Sequence, residues 1–301
     1  MVGGRVMKKI KLTSNTVFDV VTIAILTIIL IVVAYPLYFV IIASISDPAQ
    51  VSNGNVMFYP IGFTFDGYLA VFKESQVIRG FLNSLLYTVV GTVVNLVVTI
   101  PAAFALSRPN LKGKGFIMFF FIIPMYISGG MIPTYLVVRN LSMLDTMWSL
   151  ILPGAISIYN MIICRTFFQS TIDQGLVEAA KIDGCTNTKF FLHIALPLSG
   201  AVIAIMVLYY GVGHWNAYFN AMIYLSDSNK FPLQLILRTL LTKIPKSTEM
   251  AGNVQEAMRQ AQVAELMKYS LIIVSSIPVL ILYPFIQKHF VKGVMIGSIK
   301  G

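Results

Sequence analysis

From residue 20 to residue 46 the chain carries no charged side chain, and long apolar stretches of this kind recur along its length. A backbone crossing hydrocarbon finds no water to bond its N–H and C=O groups, so it must satisfy them internally, most simply as a helix of about 20 apolar residues. Segments 17–44, 80–107, 116–138, 146–164, 194–226 and 269–287 qualify. The expected fold class is an all-α membrane protein with about six transmembrane helices. Composition agrees: of 301 residues 57% are hydrophobic and 11% charged, which excludes an ordinary soluble domain. The uncharged run 20–46 is too long for the apolar region of a secretory leader, so a retained span is expected. The net charge of +10 does not mark a nucleic-acid binder, because the basic residues are scattered between apolar runs.

Orientation follows from the short loops. Arg5, Lys8, Lys9 and Lys11, then Arg108, Lys112 and Lys114, then Arg165, Lys181 and Lys189, and finally Lys288, Lys292 and Lys300 fall on one side. The opposite short loops hold Lys73, Arg79 and Arg139. Both termini are therefore expected in the cytoplasm, with a cytoplasmic N-terminus at 1–16, a permease domain at 17–290 and a cytoplasmic tail at 291–301. Cys164 and Cys185 lie on that reducing side and are expected to stay unpaired. Pro36, Pro101, Pro124, Pro133, Pro153 and Pro278 mark expected bends. On the outer side, 47–79 is turn-rich, whereas 247–267 has the apolar spacing of a helix. That helix is either a docking surface or an amphipathic element on the bundle's rim.

Ion-coupled carriers keep ionisable groups inside the membrane. Here Asp19 sits near a span end, and His214 is the one ionisable residue in mid-span, either lining a path or joining helices. A secondary transporter is thus disfavoured. The chain has no nucleophile elbow, no zinc-protease helix and no phosphate-cradling Gly-x-x-x-x-Gly-Lys loop, and His193, His214 and His289 are too scattered for a metal site. Neither catalysis nor a metal is assigned to it.

The polar stretch 170–193 stands out. Thr171 with Gln174 resembles a capping box, good helix formers follow, and Gly184 suits a helix end. Glu178 and Lys181 are spaced as an ordinary i, i+3 pair.

Glu178-Ala179-Ala180, Asp183-Gly184, Phe191, Ile194 and Leu196-Pro197 together resemble the EAA motif of ABC importer permeases. Asn83-Ser84-Leu85, Ala103 to Arg108, Trp215-Asn216 and the ending from Gly297 to Gly301 are similar to the carbohydrate-uptake branch of that family, to which the smaller maltose permease subunit belongs. Gly129 to Met161 is similar to permeases for complex oligosaccharides, and Cys185 departs from the usual alanine. The resemblance implies a half-pore subunit whose segment 170–193 docks in a groove of an ATP-binding subunit. It also implies as partners a second homologous permease, two ATPase subunits that hold ATP and magnesium, and an extracellular solute-binding protein. Gly297, Lys300 and Gly301 would reach toward the ATPases. Sugars are held by aromatic stacking and hydrogen bonds, so Trp215, Asn216 and Tyr218 are candidate pathway residues, interfacial anchoring being the other reading of the aromatics, and mid-span His214 is a further candidate. An ABC permease for a non-sugar solute is the alternative.

Overall fold

A computed structural model describes residues 14–242 and 254–298. Outside them lie Arg5, Lys8, Lys9, Lys11, Lys300, Gly301 and the start of the helix expected at 247–267. Among the described residues all regular structure is helical. In chain order the helices are α1 Ser14–Ser44, α2 Pro48–Ser52, α3 Asp66–Lys73, α4 Ser75–Ser107 and α5 Lys114–Tyr126. They continue with α6 Met131–Asn140, α7 Trp148–Ile151, α8 Ile158–Thr171, α9 Gln174–Ile182 and α10 Asn187–Phe190. The last are α11 Leu196–Leu198, α12 Gly200–Trp215, α13 Phe219–Tyr224, α14 Leu233–Thr242 and α15 Val254–Ser298.

Three stretches, Val17–Ser44, Ser75–Ser107 and Gln262–Pro284, are long and apolar enough to cross a bilayer. Three more crossings are bent pairs, by 115° between α5 and α6, 51° between Trp148–Gly154 and α8, and 80° between Asn187–Leu198 and α12. The expected six are thus present when each bent pair counts as one.

Proline is the expected cause of bending, and the breaks between helices follow it only in part. Pro36, Pro101 and Pro278 lie inside continuous helices. The sharpest break falls at Gly130, whose φ of +85° is open to glycine and strained for other residues. The 80° break falls at Ser199, just after Pro197. Only the 51° bend sits on an expected proline, Pro153, within a 3-10 turn.

The outer segment before the last span also differs from expectation. No loop separates a rim helix from a membrane helix, because α15 runs unbroken for 45 residues. Between Val254 and Pro278 there is neither glycine nor proline to stop it. A different element, α14, is the amphipathic one, burying Leu233, Leu235 and Ile236 and leaving Arg238 and Leu241 exposed.

The chain divides into two compact units. Of the described residues, the first comprises 14–70 and 254–273. Its core holds Ile42, Ala43, Val51, Val56 and Leu266. Asp47 caps α2 by accepting from the Ala49 N–H at 2.9 Å. Gly67 permits close packing on α15, since a Cβ there would stand 2.4 Å from Ser270 Oγ. Most of α1 is exposed, with no buried residue in its most apolar window.

The second unit comprises, of the described residues, 71–242 and 274–298. It is organised around α4, which packs against α8, α12 and α14. Gly80 lets α14 approach, because a Cβ would lie 2.3 Å from Ile236 Cδ1. Beside it Ser84 Oγ accepts from the Leu233 N–H at 2.8 Å. Asn83 donates to the carbonyls of Asn229 and Phe231 at 2.8 and 3.1 Å.

Candidate coupling site

Helix α9 begins at Asp173, whose Oδ1 accepts from the Gly175 N–H at 2.6 Å. The expected capping box at Thr171 is therefore corrected: Thr171 ends α8, and a carboxylate two residues on caps α9 more strongly. The helix ends as read from Gly184, which has φ +71°. Cys185 N–H donates to Ala180 O at 2.8 Å and Gly184 N–H to Lys181 O at 3.0 Å, closing a Schellman turn. Among the described residues Glu178 makes no ion pair with Lys181. Instead Gln174 Nε2, one turn earlier, donates to Glu178 Oε1 at 3.1 Å.

The two faces of α9 differ sharply. Val177 and Ala180 are buried in a cluster with Phe104, Phe168, Ile172 and Phe190. Glu178, Ala179, Lys181, Asp183 and Gly184 are exposed, as is Leu176, and Ile182 is 87% exposed. Ala179 and Ala180 thus face opposite ways, one outward and one into the core.

Phe104 lies in the same buried cluster as Val177 and Ala180 of α9 and is its aromatic hub. Its ring meets Phe168 edge-on at 5.5 Å, Phe191 at 4.9 Å and Phe190 at 6.2 Å, and the Arg108 guanidinium lies 4.7 Å from its centroid. Each such aromatic pair contributes about 0.5–1.5 kcal/mol beyond burial. Phe191 opens a π turn, Phe191–Ala195, that leads through Leu196 and Pro197 to the 80° break.

The mid-span polar residues form a second constellation. Asn95, fully buried in α4, donates through Nδ2 to Gly154 O and Ala155 O, each at 2.8 Å, where the fourth crossing breaks. That fixes its amide, so Oδ1 must be the acceptor for His214 Nε2 at 2.6 Å. His214 is consequently the Nε2–H tautomer, and it joins α12 to α4. One turn further along, Tyr210 OH bonds Thr99 Oγ1 at 2.7 Å and accepts from the Ser157 N–H at 3.2 Å. The carbonyls and N–H groups freed by the break are therefore satisfied by side chains of neighbouring helices, as a low-dielectric setting demands. Asn95 carries no ionisable group to mark it in the sequence; an amide in a charge-free helix is the signal it offers.

Of the other candidate pathway residues, Trp215 is 3% exposed, donates to Ser275 O at 2.9 Å and meets Phe81 edge-on, so its indole sits inside the bundle. Asn216 and Tyr218 are exposed, and Arg238 stacks over the Tyr218 ring at 4.9 Å. Gly297 lies in the last turn of α15, whereas Lys300 and Gly301 are outside the described residues.

On the far side of the bundle Asp145 holds a clasp that spacing did not reveal. It adopts φ +57°, and its Oδ1 accepts from the N–H groups of Ser226 and Asp227 at 3.1 and 3.0 Å. Its Oδ2 meets Lys230 Nζ at 2.7 Å. Lys230 and the two backbone donors hold the Asp145 carboxyl down to about 2, while the Lys230 ammonium is raised by the same partner.

Broken apolar crossings, with the half-exposed helix α9 on a polar loop between two of them, are the features of a membrane permease. Residues 77–296 match the family described as binding-protein-dependent transport system inner membrane component, and the chain belongs to that family. Protein LplC of Bacillus subtilis is 41% identical over 288 residues, 96% of each chain. The polygalacturonan/rhamnogalacturonan transport system permease protein YtcP of the same organism is 40% identical, covering 95% of this chain and 99% of that one. Among solved structures, a chain of a bacterial ABC transporter involved in the import of the acidic polysaccharide alginate superposes with TM-score 0.84. It is 30% identical over 94% of this chain and 100% of its own.

Proposed function

We propose that this chain is one of two permease subunits forming the translocation pathway of an ATP-driven importer for a sugar or oligosaccharide, in a bacterial plasma membrane. Both termini, 1–16 and 291–301, face the cytoplasm, and 17–290 is the permease domain. The observation that carries the reading is the outer face of α9, where Leu176, Ala179 and the 87% exposed Ile182 flank Glu178. An apolar side chain so exposed on a polar loop suits burial in a partner's groove. ATP and magnesium belong to two ATPase subunits that grip this face, and Glu178 offers them a carboxylate. When they close, α9 moves as a rigid body, and the Phe104 hub carries the motion to α4 and α8.

The sugar assignment is supported by the relatives' substrates: polygalacturonan and rhamnogalacturonan for YtcP, alginate for the structural neighbour, and arabinooligosaccharides for the 27% identical AraQ of Halalkalibacterium halodurans. An extracellular binding protein delivers the substrate. Asn216 and Tyr218 are exposed candidates for the path, while His214 and Trp215 act between helices.

The test is Glu178→Ala in the assembled importer. Membrane insertion should be unchanged, with ATPase activity no longer stimulated by loaded binding protein. Wild-type uptake in this variant would contradict the assignment.

A further inference from the structure

Two cavities adjoin where α4 ends and α5 begins. One, about 580 Å3, is a largely apolar groove lined by Pro101, Phe104, Leu111, Val177 and Leu192, with Arg108 and Lys181 at its margin. The other, about 590 Å3, is polar and lined by Arg108, Lys114, Ser170 and Gln174. They share Arg108, Pro109 and Gln174.

Three half-buried cations converge here. Arg165 Nε donates to Leu106 O at 3.1 Å, Arg108 Nη2 to Phe168 O at 3.3 Å, and Lys114 Nζ to Arg108 O at 3.5 Å. The charges of Arg108 and Arg165 both bear on Lys114. The carbonyl ends of α4 and α8 supply about half a negative charge each, which offsets roughly one of the three. Among the described residues none of the three meets a carboxylate, since both ion pairs found involve Lys230. Asp173 lines the polar cavity, but its Oδ1 is engaged by the Gly175 N–H at 2.6 Å. Lys114 keeps two N–H donors and Arg108 its Nη1 for another acceptor.

We propose that this place binds an anionic phospholipid of the cytoplasmic leaflet, with its phosphate beside Arg108 and Lys114 in the polar cavity and an acyl chain along the apolar groove. The leaflet rests on the orientation proposed above. A soluble anion would use only the polar half, and an acidic protein segment would leave the groove at Pro101, Phe104 and Leu192 unfilled. A lipid fits both, at the level where a charge-free span meets a basic loop. Because Gln174, Val177 and Lys181 come from α9, the bound lipid would brace the coupling helix against α4.

The experiment places the purified full-length chain in nanodiscs of equimolar dioleoylphosphatidylglycerol and dioleoylphosphatidylcholine and counts retained lipids by native mass spectrometry. Wild type should retain phosphatidylglycerol preferentially. Lys114→Gln and Arg108→Gln should each reduce that preference about fivefold, as expected for one basic residue near an anionic surface. Lys112→Gln, an exposed cation in the same loop lining neither cavity, should leave it unchanged. Should Arg108→Gln not fold, Lys114→Gln decides alone. Equal retention of both lipids, equal loss in Lys112→Gln, or displacement of phosphatidylglycerol by inorganic phosphate in the buffer would overturn the proposal. Lipid retention requires no ATPase, so a chain that fails to bind one would refute the functional reading and leave this measurement standing.

Discussion

Replacing Gly91 by alanine tests the link between α4 and α12 at its tightest point. A Cβ built there stands 2.5 Å from His214 Nε2, 2.6 Å from Cε1 and 2.8 Å from Cδ2. Ordinary contact begins near 3.4 Å, so the ring must retreat by about 3.4 − 2.5 = 0.9 Å. A shift of that size along the bond would stretch the His214–Asn95 contact from 2.6 Å to about 3.5 Å, at the edge of hydrogen bonding. Asn95 cannot follow, because the Gly154 and Ala155 carbonyls hold its amide. Overpacking costs about 1–3 kcal/mol, and an interhelical hydrogen bond in a membrane protein contributes about 0.6. The expected destabilisation is therefore roughly 2–3.5 kcal/mol, read by denaturant titration in detergent micelles. His214→Ala alone should also destabilise, by leaving the Asn95 oxygen unpaired. In that background the added methyl has room, and Gly91→Ala should cost less than about 0.5 kcal/mol, the level of a neutral change. Additive losses in the double variant would show that the ring is not what the methyl meets, and the argument would fail.

Other substitutions read other parts of the molecule. Ile182→Glu should weaken copurification of the ATPase subunits about ten- to hundredfold, the loss of one buried aliphatic side chain, with the chain's own melting temperature unchanged. Thiol labelling of the folded protein should modify half-buried Cys185 and spare buried Cys164, with both reacting after denaturation. The outer clasp predicts a pH response. Asp145 titrates near 2 when folded, below its ordinary 3.8, so its contribution is complete above about 3.8 and disappears as pH falls through about 2. Stability measured across that interval should fall more steeply in wild type than in Asp145→Asn; equal slopes would contradict the clasp.

Much of the site was legible because it depends on local rules. The Gly184 stop followed from a backbone that only glycine enters easily. The motif from Glu178 to Pro197 singled out the segment proposed to couple, yet spacing could not say that Ala180 turns inward while Ala179 and Ile182 face out. That choice belongs to Phe104, 76 positions before Ala180, a residue with no short-range relation to α9. His214 was visible as an oddity in an apolar span, but its partner Asn95 lies 119 residues away.

What the amino-acid order determined alone was how many times the chain can cross a bilayer and where its charges must remain wet, since hydrocarbon thickness and the cost of burying charge act on contiguous residues. The tertiary structure decided that the crossings break at Gly130, between Gly154 and Ile158 and at Ser199, the middle one alone beside an expected proline, and which side chains repair the breaks. A helix can stay broken in an apolar setting only if distant groups satisfy the freed carbonyls and N–H groups. Asn95, Thr99 and Tyr210 do so at the second of these breaks, and their positions along the chain do not announce it.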